Sequence, residues 1–275
     1  DYPASDLTIA AMGGPMSLQG VPDRAPVRVS VPQVWLHAGS EAATAALIAH
    51  ALMLRTGEAQ FVDVSAQTAM IATMLQGISA HAIQGRDYQR AGSLLQLGQA
   101  NLPVVFDCAD GYIVLIPSGP TLVVMVPWFV EDGVVPESWI DAEEWPTYHV
   151  RLLQGQPVSY SAEEVLSAIT KYVANYTKNH LLERGLREGV ALAPVNDMGD
   201  LTEFQQLQDR DYWLQAALPN GIDARTPGLV ARLSETPMSV RSWAPALGEH
   251  NGQVLNTLLG MSDEEIHLAT DGKAG

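Results

Sequence analysis

The run from Ser40 to Arg55 constrains this chain more than any other segment. It holds no glycine or proline, and Ala42, Ala43, Ala45, Ala46, Leu47, Ile48, Ala49, Ala51 and Leu52 make it apolar on nearly all sides. Such a run predicts a helix buried on most of its faces. Thr56-Gly57 follows, and Gly57 is placed to close the helix as a left-handed cap.

Helix and strand patterns alternate around it. Residues 7–12 fit a short helix or a buried strand, and Gly13-Gly14-Pro15 breaks them. Gly20 to Pro32, rich in Pro, Arg and Val, reads as an extended loop. Phe61 to Val64 reads as a short strand, and Ala66 to Ile83 as a second helix that carries Met70, Met74 and Ile78 and closes near Gly85. Val104 to Phe106, Asp110-Gly111 and Tyr112 to Ile116 predict a β-hairpin, with Asp-Gly as its turn. Leu122 to Val126 is apolar and Pro127 is expected to close it. Residues 128–148 set Trp128, Trp139 and Trp145 among acids and prolines, which reads as irregular and surface-packed.

Ser161-Ala-Glu-Glu164 is a capping box that opens a helix with Val165, Ile169 and Val173 on one face. A further short helix is expected to end at Arg184-Gly185, and Val190 to Val195 is a strand interrupted by Pro194. Ser262-Asp-Glu-Glu265 is a second capping box before a last helix, and the polar tail from Thr270 is expected to fray. The alternation places the chain in the α/β class with some α+β character. Boundaries are expected near 84–103 and 215–235, with no internal repeat.

Bulk properties exclude several functions. Hydrophobic residues make up 47% and charged residues 17%, so the chain is globular rather than disordered. The formal net charge of −16 disfavours nucleic acid and anionic membrane surfaces as partners, while local arginines still suit an anionic substrate. No stretch reaches the apolar length of a membrane span. The single cysteine, Cys108, rules out an internal disulfide and fits a reducing, cytoplasmic setting, where it reads as a small hydrophobe.

The residues alone point to no convincing active site. There is no phosphate loop, no Gly-x-Gly-x-x-Gly and no Gly-x-Ser-x-Gly, and the seven histidines have no metal-ligand spacing. His37 stands out because it precedes the apolar helix in a Trp-Leu-His-Ala-Gly turn, although a structural histidine is the simpler reading. Glu41, placed in the first turn, is most simply a favourable charge at a helix N-terminus. Arg28 and Arg86-Asp87 fit either anion contacts or ordinary surface ions.

Ordered motifs supply what the bare residues do not. Asp6-Leu-Thr-Ile-Ala-Ala-Met-Gly-Gly-Pro-Met-Ser-Leu-Gln-Gly20, Pro26-Val-Arg28, Arg55-Thr-Gly-Glu-Ala-Gln-Phe-Val-Asp-Val-Ser65 and Asp110-Gly111-Tyr112 come first. Gly189-Val190 with Ala193-Pro194-Val195, Leu233-Ser-Glu-Thr-Pro237, Ala244-Pro-Ala-Leu-Gly-Glu-His-Asn251 and Leu258-Leu-Gly-Met-Ser262 follow. In this order they resemble the class III CoA transferases, the group that includes formyl-CoA transferase, carnitine CoA-transferase and α-methylacyl-CoA racemase. Ala59 departs from the family pattern, which has glycine there.

The resemblance implies a Rossmann-like large domain, incomplete here, and a smaller α+β domain in an interlocked dimer. Residues 1–95 would form the C-terminal part of the large domain with its long linker helix, 96–215 the small domain, and 216–275 a return segment. It implies coenzyme A or acyl-CoA as substrate, no metal, and a homologous or complementary CoA transferase chain as partner. Family members carry a further N-terminal segment with most of the CoA contacts, and Asp1-Tyr2-Pro3 resembles the middle of a family loop. That implies a truncated or processed chain, or one of two polypeptides that together make the fold.

The family's nucleophile is an Asp in the pattern Asp-x-x-x-Gly before the long helix. It carries the acyl group as an anhydride and then becomes a thioester, which splits one transfer into easier steps. An ungapped count from Thr56-Gly57 puts Trp35 at that position and Gly39 on the family glycine. A slip of two residues puts His37 there instead; neither is a carboxylate. Three readings stay open: a subunit without its own nucleophile, with Arg28 and Gly39 as CoA or substrate contacts; an enzyme of altered chemistry using His37 or Glu41 for proton transfer; or an ordinary CoA transferase with its nucleophile elsewhere.

Overall fold

The computed structural model describes residues 4–97, 100–217 and 221–271. The Asp1-Tyr2-Pro3 match and the end of the tail, 272–275, lie outside the described residues. The chain divides into two compact units, Asp1–Val195 and Asn196–Gly275.

In the first unit, α1 (Asp6–Met12) resolves the choice at residues 7–12 in favour of helix. Ser5 caps it through a reciprocal box with Thr8. A 3-10 turn (Pro15–Leu18) and an irregular stretch lead to α2 (Val34–Thr56). Gly57 closes α2 at φ 79, as its sequence predicts. The helix starts earlier than expected: the Trp-Leu-His-Ala-Gly segment is its opening, not a turn before it.

Burial of α2 also differs from expectation. Ala38, Ala42, Ala45, Ala49 and Met53 are half-buried along one stripe, while Leu47 (70%), Ile48 (64%) and Leu54 (72%) stand exposed. Among the described residues of the first unit, nothing covers the apolar side chains on that face. After α2 the expected strand at Phe61 to Val64 does not form among the described residues, and Phe61 is exposed. Alternation alone does not make a strand without a neighbouring edge.

The expected second helix is two, α3 (Ala66–Ala72) and α4 (Leu75–Gln84). The break falls where the Thr73 hydroxyl donates to the Met70 carbonyl at 2.7 Å and the Met74 amide to Ile71 at 2.9 Å, a tightened turn that ends the α-ladder. α1, α2 and α3 meet in a small cluster of Ile9, Val34 and Met70. Gly13 permits the approach, since a Cβ there would lie 2.7 Å from the Cβ of Met70.

The main core lies further along the first unit. A two-stranded ribbon, β1 (Leu94–Leu97) with β2 (Ala100–Pro103), precedes an antiparallel sheet of β3 (Val105–Cys108), β4 (Gly111–Leu115) and β5 (Leu192–Pro194) in the order β3-β4-β5. Cys108 pairs with Gly111, so the hairpin turn is Ala109-Asp110 rather than Asp110-Gly111. Gly111 opens β4 at φ 145, where a side chain would be strained. Ile113 and Leu115 are fully buried and Tyr112 and Val114 exposed, the period-two pattern of a sheet with one covered face.

Helices α5 (Gly119–Glu131), α6 (Trp139–Ala142), α7 (Tyr148–Leu153), α8 (Ala162–Val173) and α9 (Lys178–Glu188) complete this core. α8 packs on β3, and α9 on β4 and β5. Two expectations are overturned here. Pro127 does not close the apolar run but sits inside α5, whose Leu122, Met125, Val126, Trp128 and Phe129 are buried; packing outweighs the lost ladder bond. Trp128, Trp139 and Trp145 are core, not surface. Trp139 stacks on Tyr160 with ring centres 4.0 Å apart, and the Trp145 indole donates to the Trp139 carbonyl at 2.8 Å.

The Ser161 box caps α8 as expected, with Val165, Ile169 and Val173 buried. α9 runs past Gly185 and ends at Gly189. Gly185 serves close packing inside the helix rather than its end, since a Cβ there would lie 3.0 Å from the Leu192 side chain.

The second unit holds α10 (Met198–Glu203), α11 (Gln205–Asp209), an antiparallel hairpin of β6 (Trp213–Ala217) and β7 (Asp223–Pro227), a π-helical turn (Gly252–Leu258) and α12 (Asp263–Asp271). The second capping box forms: the Ser262 amide donates to the Glu265 carboxylate at 2.8 Å and the Glu265 amide to the Ser262 hydroxyl at 3.3 Å. Among the described residues no helix is long and apolar enough to cross a membrane.

Candidate functional site

The head of α2 is where the sequence places its candidate chemistry. Every helix leaves its first amides without intrahelical acceptors. At α2 the N-cap residue, Gln33, offers no side-chain bond, and no acid stands in the first turn. The acceptor comes from α1 instead. Oδ1 of Asp6 takes the backbone N–H of Gln33 at 2.9 Å and of Val34 at 2.8 Å. Val34 is wholly buried against Ile9 and Met70, so this end of the helix is anchored by packing and by charge.

A cleft of about 250 Å3 opens beside this anchor, lined by Asp6, Gln19, Arg28 and Gln33 together with apolar side chains that include Leu7, Val29, Val31 and Met70. Nη1 of Arg28 donates to the carbonyls of Val29 and Ser30, both at 3.1 Å, which pins the guanidinium to its own segment. The loop that forms one wall is tied down by Arg90, whose guanidinium donates to the carbonyls of Ser17, Val21 and Arg24 at 3.3, 3.3 and 3.1 Å.

The sequence-predicted residues fall into two groups. Arg28 lines the cleft. Trp35, His37, Gly39 and Glu41 do not; they are exposed along the first turns of α2. Trp35 lies one residue beyond the anchored Val34 and is 52% exposed. A Cβ on Gly39 would meet nothing within 4 Å. Glu41 sits about two turns into the helix rather than in its first turn, where the end-charge effect has faded. His37 and Glu41 are four residues apart and therefore share a side of the helix.

Other candidates resolve into ordinary structure. The Cys108 thiol donates to Asp110 at 3.5 Å, and burial pushes its pKa up, the opposite of what a nucleophile needs. Asp87 pairs with His81 at 2.7 Å, and Arg86 lies over the Tyr88 ring at 5.5 Å. Among the described residues no three His, Cys, Asp or Glu side chains gather as a metal site would require. Asp6 and Arg90 are missed by sequence reasoning. Each acts on partners from 27 to 73 residues away, so no local spacing reveals them.

Residues 1–251 match the model of CoA-transferase family III, and the chain belongs to that family. The succinyl-CoA:(R)-benzylsuccinate CoA-transferase subunit BbsE of Thauera aromatica is 30% identical over 259 residues, covering 92% of this chain and 61% of that protein. The succinyl-CoA–D-citramalate CoA-transferase of Chloroflexus aurantiacus is 25% identical, covering 94% of this chain and 61% of that protein. A crystal structure of a CaiB/BaiF family protein from Brucella suis superimposes with a TM-score of 0.67 at 19% identity, over 93% of this chain and 63% of that one, which shows the shared fold. The chain thus spans about three fifths of the length of the relatives it matches.

Proposed function

We propose that this chain is a subunit of a CoA transferase that moves CoA between an acyl-CoA and a carboxylic acid, and that it brings no nucleophile of its own to the head of α2. Its partner is a homologous or complementary CoA transferase chain, which supplies the acyl-carrying aspartate. Within this reading residues 1–95 belong to the large domain, 96–215 to the small domain and 216–275 to the return segment. Succinyl-CoA and a dicarboxylate are the first substrates to try, because the relatives named above act on them by name. Coenzyme A enters as a thioester substrate, with Arg28 and Gly39 as the proposed contacts on this chain.

The observation that carries this reading is the apolar face of α2. Leu36 (69%), Leu47 (70%), Ile48 (64%) and Leu54 (72%) stand exposed on one helix of the first unit. A run of large exposed apolar side chains on a single helix is the mark of an interaction surface. The residue types at the head of α2 support the second half of the reading: an indole and an imidazole do not form the acyl anhydride that a carboxylate does.

The test is native mass spectrometry of the assembly purified from its source, followed by turnover with succinyl-CoA and hydroxylamine trapping. The reading expects a second CoA transferase chain in the particle and the acyl adduct on that chain. An adduct on this chain, or a fully active particle built from this chain alone, would overturn it.

A further inference from the structure

We propose that Asp6 is the positioning residue of this site: its carboxylate, reaching from α1, sets the first turn of α2 against the Arg28 cleft. Three observations carry the proposal. Oδ1 of Asp6 is the acceptor for two consecutive amides at the head of a 23-residue helix, those of Gln33 and Val34. The helix supplies no cap of its own, since Gln33 makes no side-chain bond and the first turn has no acid. The same carboxylate lines the cleft that holds Arg28, so a shift of the clamp moves both the turn and the cleft wall.

The physical argument is one of leverage. A carboxylate bonded to helix-end amides is charge-assisted and favoured by the helix dipole. The acceptor comes from another element, so it fixes where the turn sits as well as capping it. Trp35 follows directly, and His37 comes within the same turn. On the reading above the aspartate comes from the partner and Arg28 holds the thioester, so a cleft wall displaced by about an ångström misaligns the bound thioester with that aspartate and lowers turnover strongly. Asp6 touches no reacting atom in this account; it acts through the turn it holds.

The experiment uses the native assembly with this chain as wild type, Asp6→Ala, Asp6→Asn and Asp6→Glu. Succinyl-CoA with (R)-benzylsuccinate is the kinetic probe, and hydrogen exchange of the 33–37 amides is the structural one. Asp6→Ala is expected to lower kcat about tenfold or more while KM for succinyl-CoA stays within about twofold, and Asp6→Asn, which keeps an acceptor oxygen, to recover kcat to within about threefold. Exchange at Gln33 and Val34 should quicken in the alanine variant, while the rest of α2 stays as in wild type. If the alanine variant does not fold, Asp6→Glu decides: a displaced carboxylate should lower kcat several-fold at unchanged KM. Unchanged kcat in the alanine or glutamate variant overturns the proposal, as does a loss that only follows the unfolded fraction and that asparagine does not rescue.

The kinetic arm rests on the CoA-transferase reading, and the exchange arm does not. If the wild-type assembly turns over nothing with this probe, that reading is the one in trouble and exchange alone judges Asp6. Unaltered exchange at Gln33 and Val34 in the alanine variant would then sink the clamp.

Discussion

Glu143 keeps only 1% of its side chain exposed and spends its charge inside the first unit. It pairs with Arg151, and it accepts the Ser159 amide at 2.5 Å and the Glu144 amide at 2.7 Å. One carboxylate thus ties the tryptophan-rich segment to α7 and to the approach to α8. Removing a single partner leaves the other charge largely buried, which is costlier than removing both. Glu143→Leu is expected to cost about 3 kcal/mol in urea unfolding, and the Glu143→Leu/Arg151→Met double variant clearly less. Equal losses for the single and double variants would show that the charge is not what matters.

Two buried tyrosines give a pH signature at the same scale. Burial pushes Tyr148 and Tyr172 up to about 12, with Tyr172 also accepting from Arg184 at 3.0 Å. A raised tyrosine pKa means that the folded chain holds a proton the unfolded chain has lost. The stabilisation is complete below pH 10, the ordinary tyrosine value, and is lost as pH rises from 10 towards 12. Each tyrosine then contributes on the order of 2 kcal/mol of alkaline sensitivity. Tyr172→Phe should flatten the fall in melting temperature between pH 10 and 11.5; an unaltered slope would contradict the assignment. None of these contacts is legible from the sequence. Glu143 looks like any acid in a run of acids, and its partners are set by how the segment folds back.

At the scale of elements, legibility follows locality. The Ser161 and Ser262 boxes and the Gly57 cap were readable because each is closed within three or four residues. Helix α5 was not, because tertiary packing decides it: Pro127 breaks a helix unless burial of Leu122, Trp128 and Phe129 holds the turns on either side. Its start shows the same dependence. A Cβ on Gly119 would lie 2.1 Å from the Pro146 carbonyl oxygen, and the Gly119 amide donates to Nδ1 of His149 at 2.9 Å. Backbone faces backbone there, so no side chain can turn aside. Gly119→Ala is expected to destabilise by about 2 to 3 kcal/mol, measured by urea denaturation. A change under about 0.5 kcal/mol would mean that the two segments separate easily.

At the scale of the whole molecule, α2 is where the sequence's expectation and the structure part. The half-buried stripe of Ala38, Ala42, Ala45, Ala49 and Met53 faces away from an exposed row in which Leu36, Leu47 and Leu54 recur at intervals of eleven and seven. The sequence predicted burial on most faces and the structure shows it on one stripe only, because an apolar pattern does not say which polypeptide would cover it. On the function proposed above, both α2 and the catalytic question turn on what covers this face. Leu47→Glu/Leu54→Glu leaves the half-buried stripe of α2 untouched and changes no residue of the core that runs from Phe106 to Leu192. Near-ultraviolet circular dichroism, to which the stacked Trp139, Trp145 and Tyr160 rings contribute, should stay as in wild type. The native particle should instead lose mass, because two carboxylates cannot be buried against an apolar partner without a heavy desolvation penalty. A double variant that assembles like wild type would show that this face of α2 stays open in the working protein.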